Sequence, residues 1–113
     1  MEKTMKMTNG VCVVSVEGDV DLYSAPDLHR SWLEHAARPG APAWVLDLEK
    51  ASYLDSSGIG VLMQILGDSR ERNIPFRLCN VRGMIEKLLR LSRMNAVLPI
   101  SRDLDEALIQ AKR

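Results

Sequence analysis

The sequence carries no net charge: fifteen Lys and Arg balance fifteen Asp and Glu across 113 residues. The basic field that a nucleic-acid phosphate backbone requires is therefore absent, and no nucleic-acid partner is expected. Long apolar runs are missing too. None approaches the ~20 residues of a membrane-spanning helix, so no membrane is expected as a partner. The opening stretch, Met1-Glu2-Lys3-Thr4-Met5-Lys6-Met7, lacks the apolar core of a signal peptide, and a cytoplasmic location is the expectation. Cysteine is scarce as well. Cys12 and Cys79 lie far apart, each in an apolar run, and read as two buried, reduced thiols. With two histidines and no close His/Cys cluster, no structural zinc site and no other metal is expected. His29 and His35 read as surface residues of a helix.

What is present suits one domain over residues 1–113. Hydrophobic residues make up 46% and charged residues 27%, an ordinary globular balance, and a chain of this length can bury its own core. Val11-Cys12-Val13-Val14-Ser15-Val16 is β-branched and ends at Gly18; it reads as a strand that pairs with Thr4–Met7 across a turn at Asn9-Gly10. Ser24 has the character of an N-cap, with Pro26 in the first turn, Asp27 in a weak capping box, and a stripe of Leu28, Trp32, Leu33 and Ala36. Trp44-Val45-Leu46-Asp47-Leu48 is nearly continuously apolar, as in a strand covered on both faces. Ile59, Leu62, Met63 and Leu66 fall at helical spacing, and Phe76–Cys79 is a further strand. Met84, Ile85, Leu88, Leu89 and Leu91 mark a third helix. Ala96–Ile100 reads as a short strand held at an edge by Pro99. Asp103 and Glu106 cap a last helix. Alternation of this kind predicts an α/β fold: a mixed, roughly five-stranded, mainly parallel sheet with about four helices and the N-terminal hairpin as its antiparallel edge.

Chemistry concentrates at Asp55-Ser56-Ser57-Gly58-Ile59-Gly60, where an apolar strand-like run gives way to a helix. Unpaired N–H groups and the macrodipole favour an anion at such a place, so the serines suit either a helix cap or a regulatory phosphorylation site. Catalytic readings fail on spacing. A hydrolase elbow needs Gly two residues before the serine, and Leu54 and Asp55 stand there instead. No phosphate-loop motif ending in Gly-Lys-Ser/Thr occurs. A receiver-type phosphoaspartate site needs an acidic pair after the first strand and a late lysine; neither is present. Gly58-Ile59-Gly60 alone is explained by close helix–sheet packing. Asp19 and Asp21 form an acidic turn on their own, and an acidic rim with Asp55 if the loops converge at the strand C-termini.

Two segments carry a resemblance. The run from Leu48 to Leu62, centred on Asp55-Ser56-Ser57-Gly58-Ile59-Gly60, resembles the signature of STAS domains, most closely bacterial anti-anti-sigma factors of the sporulation and general-stress type. Glu17-Gly18-Asp19-Val20-Asp21-Leu22-Tyr23-Ser24-Ala25 resembles the Gly-Glu-Leu-Asp segment of the same family, and the stretches 88–94 and 105–108 also fit in place. Asn73-Ile74 departs from the family's frequent glycine turn, and Asn95 stands where a glycine or leucine is common. The resemblance implies an anti-sigma factor antagonist that is not an enzyme and needs no cofactor. Its partners would be an anti-sigma factor that is also a serine kinase, and a serine phosphatase. By the same resemblance Ser56 is the phospho-acceptor; the roles expected of its neighbours follow from their places beside it, with Asp55 orienting the site and adding charge. Ser57 caps the helix and contacts the partner, Gly58 and Gly60 permit close approach, and Asp21 presents the loop to the kinase. The competing implication, a lone STAS subunit on the ATPase of a lipid-transport ABC system, goes with Thr-Gly-Gly at the serine pair, which this chain lacks. A nucleotide-binding or weak hydrolase module is a more distant rival.

Overall fold

The computed structural model describes residues 1–112. Among these residues six strands and four α-helices follow in the order β1 (Glu2–Thr8), β2 (Val11–Val20), α1 (Ala25–Ala36), β3 (Trp44–Asp47), β4 (Ala51–Leu54), α2 (Ser56–Arg72), β5 (Phe76–Cys79), α3 (Gly83–Leu91), β6 (Ile100–Ser101) and α4 (Leu104–Gln110). The main sheet has the order β1-β2-β3-β5-β6, antiparallel between β1 and β2 and parallel elsewhere. The mixed α/β architecture and the edge hairpin are as the sequence predicts. Asn9 and Gly10 both take positive φ (52° and 77°), as a two-residue primed turn requires.

Three expectations need correction. The sheet gains a sixth strand, β4, whose sequence Ala51-Ser52-Tyr53-Leu54 is too short and too polar to stand out as a strand. The expected strand over Ala96–Ile100 divides into a 3₁₀ turn (Met94–Ala96) and a two-residue β6 that begins after Pro99. His35 is 3% exposed: its Nε2 lies 2.7 Å from the Pro42 carbonyl, and its ring lies among Trp32 and Trp44. Its place on the buried face of α1 outweighs its polarity because that hydrogen bond satisfies the ring.

Period-2 alternation divides the core. Cys12, Val14, Val16, Trp44, Leu46, Phe76 and Leu78 face the large cluster under α1, α2 and α3. Val11, Val13, Val45 and Cys79 face α4. Burial on both faces explains the unbroken apolar run at β3. Both cysteines are buried and unpaired. α2 ends at Asn73, whose φ of 56° puts it in the left-handed region, while Ile74 N–H donates to the Ser69 carbonyl at 3.0 Å. Asparagine thus fills the turn role usually left to glycine at this departure from the family pattern.

β2 is what positions the site. Its first half pairs with β3, and its last residues pair with β4, Gly18 against Ala51 and Val20 against Leu54. The changeover falls between Ser15 and Gly18, and a bulge follows within the β2–β4 ladder between Gly18 and Asp19, with Gly18 at φ 87°. The C-terminal ends of β2 and β4 therefore lie side by side.

Candidate functional site

Because β2 and β4 end together, the loop after β2 meets the N-terminus of α2. Asp55 is the N-cap of that helix: its backbone is extended (φ −91°, ψ −173°), and its Oδ1 accepts from Gly58 N–H at 2.9 Å. Its other oxygen, Oδ2, accepts from Leu22 N–H at 3.0 Å across 33 residues of sequence. One carboxylate thus caps α2 and ties the two loops together. Ser57 is not the cap, contrary to expectation. It sits in the second helical position, where backbone torsions are already helical, and a cap needs the extended residue before the first turn.

Asp21 organises the other loop. Its carboxylate Oδ1 accepts from the N–H groups of Tyr23 and Ser24, each at 3.0 Å, and from the Ser24 hydroxyl at 3.0 Å. The Ser24 N–H bond, followed by the Ser24 hydroxyl, holds this carboxyl below the usual 3.8. The Ser24 hydroxyl also accepts from Asp21 N–H at 2.9 Å. It makes no cap bond to α1, so the expected capping box with Asp27 does not form. Asp27 instead pairs with Lys3 of β1 and with Arg30. Of the expected acidic rim, Asp21 and Asp55 serve one loop junction, joined through Leu22, whereas Asp19 stays on β2, paired with Tyr53 of β4.

Ser56 opens α2 and is exposed, and among the described residues its hydroxyl makes no hydrogen bond. Ser57 is half-buried. Gly58 is buried: a Cβ there would lie 2.5 Å from the Val20 carbonyl oxygen, so close approach of the backbone is its evident requirement. Gly60 is exposed, with open space around it. Two neighbours that no motif marks belong to the same surface. Leu22 (64% exposed) and Tyr23 (90% exposed) project from the loop that Asp55 anchors. The available signal was an apolar pair between two loop-forming residues, Asp21 and Ser24, off any helical stripe. Exposed apolar side chains beside an unengaged hydroxyl make a surface suited to protein contact. No group of His, Cys, Asp and Glu able to hold a metal occurs among the described residues, and none of their helices is long and apolar enough to cross a membrane.

An α/β domain with a hydroxyl-bearing helix start at paired strand ends defines a class, and comparison with known proteins identifies it. The STAS domain family model matches residues 2–107, and the chain belongs to that family. It is 30% identical over 88 residues to an anti-sigma-B factor antagonist of Bacillus subtilis (strain 168), covering 78% of this chain and 79% of that one. It is 25% identical over 96 residues to an anti-sigma F factor antagonist of Paenibacillus polymyxa, covering 85% and 82%. Among solved structures, an anti-sigma factor antagonist from Mycobacterium paratuberculosis superposes with a TM-score of 0.85 at 25% identity, covering 99% of this chain and 94% of the other.

Proposed function

We propose that this chain is a cytoplasmic anti-sigma factor antagonist, one STAS domain over residues 1–113, switched by phosphorylation of Ser56. The observation that carries the reading is the unengaged, exposed Ser56 hydroxyl at the start of a 17-residue helix already capped by its neighbour Asp55. A kinase can take this hydroxyl without removing a bond that holds the fold. In this reading the chain is a substrate and a binder, not an enzyme. Unmodified, it binds an anti-sigma factor that is also a serine kinase, through Leu22, Tyr23, Ser57, Gly60 and the loop held by Asp21 and Asp55. Gly58 serves the same surface from below, by seating α2 on β2. A serine phosphatase resets the switch.

The electrostatics favour a local switch. Phosphate adds about −1.5 to −2 charges next to the Asp55 carboxylate. The N-terminus of α2 tolerates that charge within the domain. A partner surface fitted to a neutral hydroxyl has no counter-charge for it, so repulsion and desolvation reduce affinity by on the order of 10²-fold. The test is incubation with the cognate kinase and ATP, followed by mass spectrometry and binding assays. Phosphate is expected on Ser56 alone, Ser56→Ala should bind without being modified, and Ser56→Asp should bind about 10²-fold more weakly. Phosphate on another residue, or undiminished binding by Ser56→Asp, overturns the proposal.

A further inference from the structure

The outer edge of the sheet points to a second copy of this chain. β1 is a seven-residue edge strand with both Met5 (49% exposed) and Met7 (57% exposed) uncovered on the α1 side. The pairing of Thr8 with Val11 across the two-residue turn fixes which backbone groups are used. Residues flanking such a turn exchange hydrogen bonds, and the pattern alternates from there. Thr8, Lys6, Thr4 and Glu2 therefore face β2. The N–H of Cys12, opposite Met7, confirms the alternation by donating away from β1 to the Ala43 carbonyl at 2.9 Å. Lys3, Met5 and Met7 are left with N–H and C=O groups directed outward. An unprotected edge of this length is a template for another strand.

The side chains select the register. Only odd-with-odd pairing joins the outward-facing groups of two antiparallel β1 strands. Centring the two-fold on Thr4 sets Lys3 against Met5 of the second copy and Glu2 against its Lys6, twice over by symmetry. Centring it on Met5 sets Lys6 against Thr4 and makes no charge pair. The Thr4-centred register also answers a local conflict. Within one chain Glu2 lies directly opposite Glu17, a like-charge pair that disfavours the hairpin. Among the described residues, Glu2, Glu17 and Lys6 take part in no ion pair. The two glutamates border a polar hollow of about 160 Å³ with Asp47, Glu49 and Lys50. Lys6 of a second copy would bring a cation to its rim, while on the opposite face the two Met5 side chains would lie diagonally across the seam and Met7 of each chain would meet Met1 of the other.

We propose that β1 is a homodimer interface, an antiparallel edge-to-edge pair centred on Thr4 that extends the sheet across two copies. The proposal is independent of the Ser56 reading. It is tested by sedimentation equilibrium over a concentration series, with thermal melts of each variant. The wild-type chain should show a monomer–dimer equilibrium. Glu2→Lys replaces both intermolecular attractions with repulsions and should raise the dissociation constant roughly tenfold or more. The same change removes the Glu2–Glu17 conflict, so the monomer should melt no lower than wild type. The charge-exchanged pair Glu2→Lys with Lys6→Glu should restore the dimer, which a nonspecific contact would not do. Met5→Pro removes an outward N–H, leaves the β1–β2 ladder intact and should abolish association. A wild-type chain that stays monomeric at millimolar concentration overturns the inference, as does a charge exchange that fails to restore the dimer.

Discussion

Replacing Gly58 and Gly60 with alanine, one at a time, should shift stability in opposite directions although both residues lie in the first turns of the same helix. At Gly58 the new methyl would lie 2.5 Å from the Val20 carbonyl oxygen and 3.3 Å from both the Val20 carbonyl carbon and Leu54 Cδ2. The first of these contacts is impossible without movement. The atom that must move is backbone, and it is held: the Val20 carbonyl accepts from Asp55 N–H at 3.2 Å, and Val20 pairs with Leu54 of β4. Overpacking costs about 1–3 kcal/mol, and a clash with backbone that is held in place belongs in the upper part of that range, about 2–3 kcal/mol. Alanine recovers roughly 1 kcal/mol of helix propensity over glycine. The net expectation is a loss of about 1–2 kcal/mol, which lowers Tm by on the order of 4–8 °C for a domain of this size.

At Gly60 the same methyl meets no atom within 4 Å. The propensity gain is then unopposed, and Gly60→Ala should stabilise by about 1 kcal/mol, raising Tm by roughly 4 °C. Urea melts of the three proteins, with the slope checked for constancy, give the comparison directly. The reasoning is refuted if Gly58→Ala is as stable as wild type, because α2 would then not be seated on the Val20 carbonyl. It also fails if both alanines shift stability in the same direction.

The other predictions concern the cap, acid and the thiols. Asp55→Ala should cost about 1–2 kcal/mol, the upper end of an N-cap deletion, because the Leu22 tether is lost with the cap. Asp55→Asn keeps an accepting oxygen and should cost distinctly less, and urea melts separate the two. Burial pushes the Asp68 carboxyl up, but the Trp32 Nε1–H bond at 2.7 Å and Arg72 outweigh it and leave the group below 3.8. Asp27 is likewise lowered, first of all by its bond from Lys3. A carboxyl more acidic in the folded than in the unfolded chain contributes stability above its unfolded value and loses it as pH falls through the folded value. Stability should therefore hold down to about pH 4 and fall below it, and Asp68→Asn should flatten that fall; an unchanged acid profile in this variant would refute the assignment. Burial, followed by the Asp47 charge, pushes the Cys79 thiol up to about 12, and burial raises Cys12 as well. Neither thiol should react with Ellman's reagent at pH 8 until denaturant is added, when both should.

The parts legible in the sequence were those written in nearest neighbours. Asn9-Gly10 has one good use, a primed turn, and the hairpin followed from it. The four-residue spacing of α2 and the continuous apolar run of β3 similarly needed no partner to be read. Asp103 with Glu106 worked as a cap because both bonds lie within one turn: Asp103 accepts from Glu106 N–H at 2.9 Å, and Glu106 accepts from Arg102 N–H at 3.0 Å. The misreadings share a different cause. Ser24 looked like a cap, but its hydroxyl had a competing partner in Asp21, three residues back in a loop whose shape depends on the bulge at Gly18. At Ser57 the deciding feature is β4, which its short, polar sequence does not announce. Once Leu54 ends a strand, Asp55 becomes the last extended residue and the cap position passes to it. His35 looked exposed because its partner, the Pro42 carbonyl, lies beyond the helix end. The link from Asp55 to Leu22 spans 33 residues, and no local pattern announces it. The motif therefore identified the serine that stands free, while the reason it stands free is tertiary: a carboxylate one residue earlier already serves both the helix and the loop across from it.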